Sequence, residues 1–257
     1  MTLKAAVHVH SDWSDDGSWS LAALTEGFGR RGYRALLLAE HDRGWDDDRW
    51  ASFREACAAA STQRCLLVPG IEYGDADNVV HVAVWGDLPF LGAGRPTEAI
   101  LEAARAGGGV SVFAHPARRD AASRFTGEWA SLLTGVEVWN RKYDGLAPSR
   151  VALRIAREHP QLRWFAGNDF HTRYQFFPFE LAVDAEATAD GLADALAAGR
   201  YTPHAFGLGL ETFVRPAVLP ALERLERLRV TLAGPVRRCR LHRARARASR
   251  QHRRVRP

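Results

Sequence analysis

Short apolar runs alternate with helical patterns along most of this chain, and most of these apolar runs end on a histidine or an acid. "LKAAVHVH", "RALLLAE" leading into His41, "CLLVPGIE", "VVHVAVWG", "VSVFAH", "GVEVWN" and "LRWFAGNDFH" read as strands. Between them, Ser20 to about Arg31, Asp46 to Ala60, Thr97 to Ala106, Pro148 to Glu158 and Asp190 to Ala198 carry helical patterns. Ser20 suits an N-cap, and Pro148 suits the first turn of its helix. "GRYTPHAF" reads as a last short strand. Such alternation predicts a parallel α/β architecture. One connection departs from it. Only "YGDADN" joins the strand ending at Glu72 to the next. That is too short for a parallel crossover of roughly ten residues or more, so an antiparallel pair is expected there.

Length and charge set the organisation. The 257 residues, 46% hydrophobic, suit one domain with an appendage. No apolar run is long enough for a membrane span, and no secretory signal opens the chain. The net charge of +5 hides a division. Residues 237–257 hold ten arginines and no acid, so residues 1–236 carry −5. Leucines at 219, 222, 225 and 228 are spaced as on a helix. We therefore expect a domain over 1–210, an amphipathic helical segment over 211–236 and a disordered Arg-rich tail over 237–257. Cys57, Cys65 and Cys239 form no CxxC pair. That sparse set fits a reducing cytoplasm better than a disulfide framework.

The residues at the strand ends carry the chemistry. His8 and His10 are two apart, which on a strand aims both imidazoles to one face. His41, His81, His115 and His171 lie on strands or just beyond their ends, as do Glu72 and Asp169. In α/β barrels reactive groups collect at the C-terminal rim of the strands. Any one of these histidines reads equally as an ordinary hydrogen-bonded side chain; six in register with Asp15, Glu72 and Asp169 do not. The donors are nitrogen and oxygen with no thiolate, which suits Zn, Mn or Fe at a hydrolytic centre. Nine candidates exceed what one ion needs, so two or three divalent ions are expected.

"HVHSDWSDDG", "LAEHD", "PGIEY", "HVAVWG", "FAHP" and "GNDFH" resemble, in order and spacing, the successive motifs of the PHP (polymerase and histidinol phosphatase) superfamily over about residues 3 to 205. The resemblance implies a distorted (β/α)7 barrel with a metal cluster at the strand C-termini. It implies phosphoester hydrolysis by a metal-activated hydroxide, commonly of small monoesters and sometimes of nucleic acids, with no side-chain nucleophile. It implies that His8, His10, Glu72 and Asp169 hold one metal. Glu72 would bridge to a second, completed by His81 and His115, and Asp15, His41 and His171 would hold a third. Two positions depart from the pattern. The chain has "SDDG" where the family has Ser-Asp-Gly, which leaves Asp16 as the alternative to Asp15. Glu40 stands where many members have Asp, at a position expected to support ligands rather than bind metal.

A phosphate substrate needs cations besides metals. Arg118, Arg141, Lys142 and Arg173 follow rim strands and are the candidate substrate-binding residues; Arg119 is their neighbour. Glu137 and Asn140 end a strand on the same rim, placed either to orient a ligand or to complete hydrogen bonds. Trp13, Trp45, Trp85 and Trp139 suit core packing better than a wall for a base. The leading expectation is a phosphoesterase of a small phosphorylated substrate. An amidohydrolase-like site would favour a carboxylated lysine as its bridge, yet Lys4 and Lys142 are the only lysines. A non-catalytic metal-binding module would be expected to have lost ligands. A nuclease would use the Arg-rich tail on phosphate backbones, but the acidic body disfavours it.

Overall fold

The computed structural model describes residues 2–232, so the Arg-rich stretch 237–257 lies outside the described residues. β1 (Thr2–Val9) is buried along almost its whole length, with Leu3, Ala5 and Val7 in one apolar cluster and Ala6 and Val9 in another. A strand covered on both faces needs such a near-continuous apolar run. α1 (Leu21–Gly29) starts at Ser20, whose Oγ accepts from the Ala23 N–H. β2 (Ala35–Leu38) and β3 (Glu40–His41) follow, then α2 (Asp47–Ala60), capped by Asp46. β4 (Leu66–Val68) and β5 (Gly70–Gly74) flank Pro69, which has no N–H to offer a ladder. β6 (His81–Trp85), α3 (Thr97–Ala106), β7 (Val110–Ala114) and α4 (Gly127–Leu132) lead to β8 (Gly135–Asn140) and the one-turn α5 (Arg141–Asp144). α6 (Arg150–Glu158), β9 (Arg163–Gly167), β10 (Phe179–Asp184), α7 (Ala189–Ala198), β11 (Tyr201–Ala205) and β12 (Leu208–Gly209) complete the body. A last helix, α8, covers 219–232. Side-chain caps at Ser20, Asp46, Thr126, Ser149 and Thr188 each contribute about 1 kcal/mol.

The strands form two mixed six-stranded sheets, ordered β12-β11-β10-β1-β2-β4 and β3-β5-β6-β7-β8-β9. The chain crosses from the first to the second between β2 and β3 and again between β4 and β5. On the other side the Asn168 N–H donates to Val7 O, the Phe170 N–H to His8 O and the His10 N–H to Phe170 O, at 2.9, 3.2 and 2.9 Å. An apolar cluster drawing on both sheets includes Leu37, Val68, Trp85, Val112, Phe165 and Leu181, and Leu192, Ala195 and Leu196 of α7 close it. A second cluster lies between the sheets and the other helices.

Several sequence expectations change. The sheets are not parallel throughout: β6 runs antiparallel to both β5 and β7, and β10 antiparallel to β1 and β11. The pairing across "YGDADN" is antiparallel as expected. Pro148 precedes the Ser149 cap rather than occupying the first turn of α6. The alternation in "FELAVD" makes β10, a strand that was not anticipated. No helix among the described residues is long and apolar enough to cross a membrane.

α8 is docked. Leu219 and Leu222 pack against the core, Arg150 pairs with Glu223, and the Leu146 N–H donates to Glu226 Oε2 at 3.1 Å. Leu225, Leu228 and Leu232 face outward.

Candidate metal centre

The candidate ligands gather at one edge of the two sheets. His8 does not follow the plain pleat. Its φ is +61°, and the β1–β2 register shifts between Val7 and Val9. This irregularity, rather than simple alternation, sets the His8 and His10 rings 5.1 Å apart. His115 follows β7 at φ +30°, and Asp169 follows β9 at φ +45°. Such backbone costs an L-residue roughly 1–2 kcal/mol and concentrates at functional sites. His81 is the first residue of its strand, not the last. Because β6 runs in reverse, its start lies at the same edge as the ends of its neighbours.

Glu72 stands at the centre. Its Oε1 lies 2.7 Å from His115 Nε2, 2.8 Å from His81 Nδ1 and 3.3 Å from His8 Nε2. Its Oε2 lies 3.1 Å from His41 Nδ1 and 3.6 Å from His10 Nε2. Asp169 Oδ1 is 3.3 Å from His171 Nδ1 and 3.8 Å from His10 Nε2. The His10 and His171 rings stack at 4.0 Å. His8, His10, Glu72, His81, His115, Asp169 and His171 are all less than 5% exposed.

The donor set fits divalent cations. His10 with His41 and His171, His8 with Glu72 and His115, and His8 with His10 and Asp169 each bring ligand atoms within 4.8 Å of one another. His8 Nε2, His10 Nε2, His115 Nδ1 and Asp169 Oδ2 are buried with no hydrogen-bond partner. Buried polar atoms are rarely left so, because an unmade bond costs about 1–3 kcal/mol. A metal ion satisfies such atoms.

Charge runs unevenly through the cluster. Burial opposes the charge on His8, but Glu137, Glu72 and Asp169 raise it well above the ordinary histidine range. Burial likewise opposes the charge on His41, yet Asp16 and Glu72 raise it to about 10. For His10, burial and the neighbouring His171 work together and lower it well below that range. Burial lowers His81 as well. Glu72 is held well below the carboxylate range, against its burial, by His81, His8 and His115. The raised imidazoles of His8 and His41 beside this carboxylate therefore do part of what metal ions would do.

Among the residues expected from the sequence, the structure brings Asp16 rather than Asp15 to the cluster. Asp16 Oδ2 lies 3.1 Å from His171 Nε2 and its Oδ1 lies 3.4 Å from His41 Nε2. Burial would raise its carboxyl, but these two histidines pull it far below its usual range. Asp15 is exposed and pairs with Arg43 at 3.4 Å, although it too comes near Asp16 and His41. Lys142 reaches the centre, with Nζ 3.3 Å from both Asp169 Oδ1 and His171 Nε2. The three arginines do not touch it. Arg118 is buried and donates to the Asn78 and Val79 carbonyls and to Tyr143 Oη. Arg141 lies over the Phe177 ring and Arg173 over Tyr174. Trp45, Trp85 and Trp139 are buried, and Trp13 packs partly buried against Trp45 and Phe53.

Apart from Glu40, whose supporting place was expected, the other residues near the cluster had given little sequence signal. Glu40 accepts from the backbone and hydroxyl of Ser11 and from the Ser14 hydroxyl, pinning the loop after β1. Ser14 Oγ in turn lies 3.3 Å from His10 Nδ1 and accepts from the His41 N–H at 3.0 Å. Asn78 Oδ1 meets His81 Nε2 at 2.7 Å, and the Tyr143 ring lies 4.6 Å from that of His115.

No family model matches the sequence, and no curated protein matches it. Solved structures match its fold. PsfC from Pseudomonas syringae PB-5123 has a TM-score of 0.59 at 19% identity, over 80% of this chain and 92% of that one. The lesion-specific endonuclease PfuEndoQ from Pyrococcus furiosus has a TM-score of 0.52 at 13% identity, over 77% of this chain and 56% of that one. The chain has a PHP-like fold.

Proposed function

We propose that this chain is a metal-dependent hydrolase of phosphoester bonds, acting on a small phosphate monoester or nucleotide. The observation that carries the reading is Glu72 ringed by five imidazoles, with partnerless buried donors at His8, His10, His115 and Asp169. In this reading His8, His10, Glu72 and Asp169 would hold one ion, Glu72 with His115 and His81 a second, and His41, His171 and Asp16 a third. Zn, Mn or Fe suits these donors. Bound there, such ions supply Lewis acidity and lower the pKa of water.

The chain's own groups do the rest. The Lys142 ammonium, raised by Asp169 against the effect of burial, offers a cation to phosphate oxygens beside Asp169 and His171. The hydroxyls of Ser11 and Ser14 donate to Glu40, so neither is free to attack, and water is left as nucleophile. Most candidate ligands are buried, which suits a compact phosphate better than a long polymer.

The two sheets are, in this reading, one distorted seven-stranded barrel, with β2–β3 and β4–β5 each counted as one strand. The backbone bonds from Val7, His8 and His10 to residues 168–170 support its closure. The catalytic domain would span 1–210, with 211–236 and 237–257 as appendages. Cys57 and Cys65, both unpaired and buried, suit a reducing cytoplasm.

The test is metal analysis of the purified protein, followed by hydrolysis assays on nucleotides, sugar phosphates and single-stranded DNA. A small monoester should be the best substrate. A protein that takes up no Zn, Mn or Fe and cleaves none of them ends the proposal. Preference for DNA would favour a nuclease, towards which the fold likeness to an endonuclease points.

A further inference from the structure

We infer that Glu137 is a positioning residue that fixes the His8 tautomer and braces both His8 and His115 for metal; the inference rests on the metal-centre reading above. Glu137 lies in β8 and is wholly buried. An ionised carboxylate only accepts hydrogen bonds. Its Oε1 lies 2.7 Å from His8 Nδ1, so that nitrogen carries the proton. His8 Nε2 is then the nitrogen left to give its lone pair to a metal ion at the centre. This is the atom that is buried without a hydrogen-bond partner and lies 3.3 Å from Glu72 Oε1.

The other oxygen works on the opposite side. Glu137 Oε2 accepts from the His115 N–H and from Asn140 Nδ2, each at 2.8 Å. One carboxylate thus grips two residues held at positive φ, His8 by its ring and His115 by its backbone. Asn140 extends the grip. Its Oδ1 accepts from the Lys142 and Tyr143 N–H groups at 3.0 and 3.3 Å, which fixes the turn carrying Lys142 to Asp169.

The fold makes room for this side chain. The β8–β9 register shifts between Glu137 and Trp139. A Cβ on Gly167 would lie 2.0 Å from Glu137 Oε1. A carboxylate serving only to close backbone hydrogen bonds would have no reason to face an imidazole whose other nitrogen is unpartnered. Carboxylates behind metal-bound histidines typically govern affinity by about 10- to 100-fold.

The experiment uses the full chain, stripped of metal and titrated with Co(II) and Zn(II). Glu137→Gln keeps the size but replaces one acceptor oxygen with a donor. Metal-free Glu137→Gln should melt cooperatively, within a few degrees of the parent. It should bind Zn(II) about 10- to 100-fold more weakly and show an altered Co(II) visible spectrum. Gly167→Ala displaces the carboxylate without removing it, and should give the same loss; it answers the question if the Gln variant fails to fold. Parental affinity and spectrum in either folded variant overturn the inference. A parent that binds neither metal refutes the metal-centre reading instead.

Discussion

At the scale of single residues, the site turns on one carboxylate and its ring of imidazoles. Glu72→Gln removes the charge on which His8, His10, His41, His81 and His115 converge. Phosphatase turnover should fall by on the order of a thousandfold with loss of bound metal, while the chain still folds. Near-parental turnover with full metal would refute the central role. His41 provides a second test. It is raised to about 10, so in the metal-free protein at pH 8 it is protonated, and a metal must displace that proton. Metal affinity should therefore climb as pH rises from 7 toward 10. Calorimetry in buffers of different ionisation enthalpy should register protons released on binding; an unchanged heat across buffers would count against it. The candidate ligands were legible because histidines at strand ends are few and share a register. The choice between Asp15 and Asp16 was not, since which of two successive carboxylates turns inward is decided by the loop. Nor was the hold of Glu137 on His8, a contact between residues 129 apart in the chain.

At the scale of elements, two glycines carry the predictions. Gly17 closes the loop after β1, where a Cβ would lie 1.7 Å from Ser11 O. Gly17→Ala should push that loop outward, taking Asp16 from His41 and His171. Metal stoichiometry should drop while the melting transition stays cooperative; a full metal complement would show the loop to be more forgiving. Gly145 sits at φ +69°, and a Cβ there would meet the Glu226 carboxylate at 2.4 Å. Gly145→Ala should cost about 1–2 kcal/mol in denaturant unfolding and free α8 to early proteolysis. Equal stability and equal protection would mean that α8 docks differently. Long periodic segments such as α2 and α3 were readable from the sequence. α4 and α5, of six and four residues, were not, because one turn displays no period. β10 was missed although its alternation was present, for no turn signal set it apart from the site loop before it.

At the scale of the whole molecule, strand direction was the least legible property. Apolar runs predict strands but not their direction: the short "YGDADN" link announced the reversal of β6, whereas nothing announced β10, which reverses after an irregular connection. The rim is kept across that reversal, since reversing β6 exchanges which end of the strand faces the site. Charge separates the chain more cleanly. The residues up to 236 carry −5, and ten arginines follow. Removing residues 237–257 should leave the melting temperature and small-phosphoester turnover within about twofold of the parent, while any salt-sensitive binding of DNA disappears. A collapse of turnover on truncation would tie the basic segment to the site.

The positive φ angles of His8, His115 and Asp169 also bear on how such a protein responds to selection in the laboratory. Glycine at any of the three relieves the backbone, so a library sorted only for heat resistance in metal-free medium is driven toward dismantling the centre. The same library sorted with metal present should retain all three. The difference between the two surviving populations would map, position by position, where resilience and chemistry pull this sequence apart.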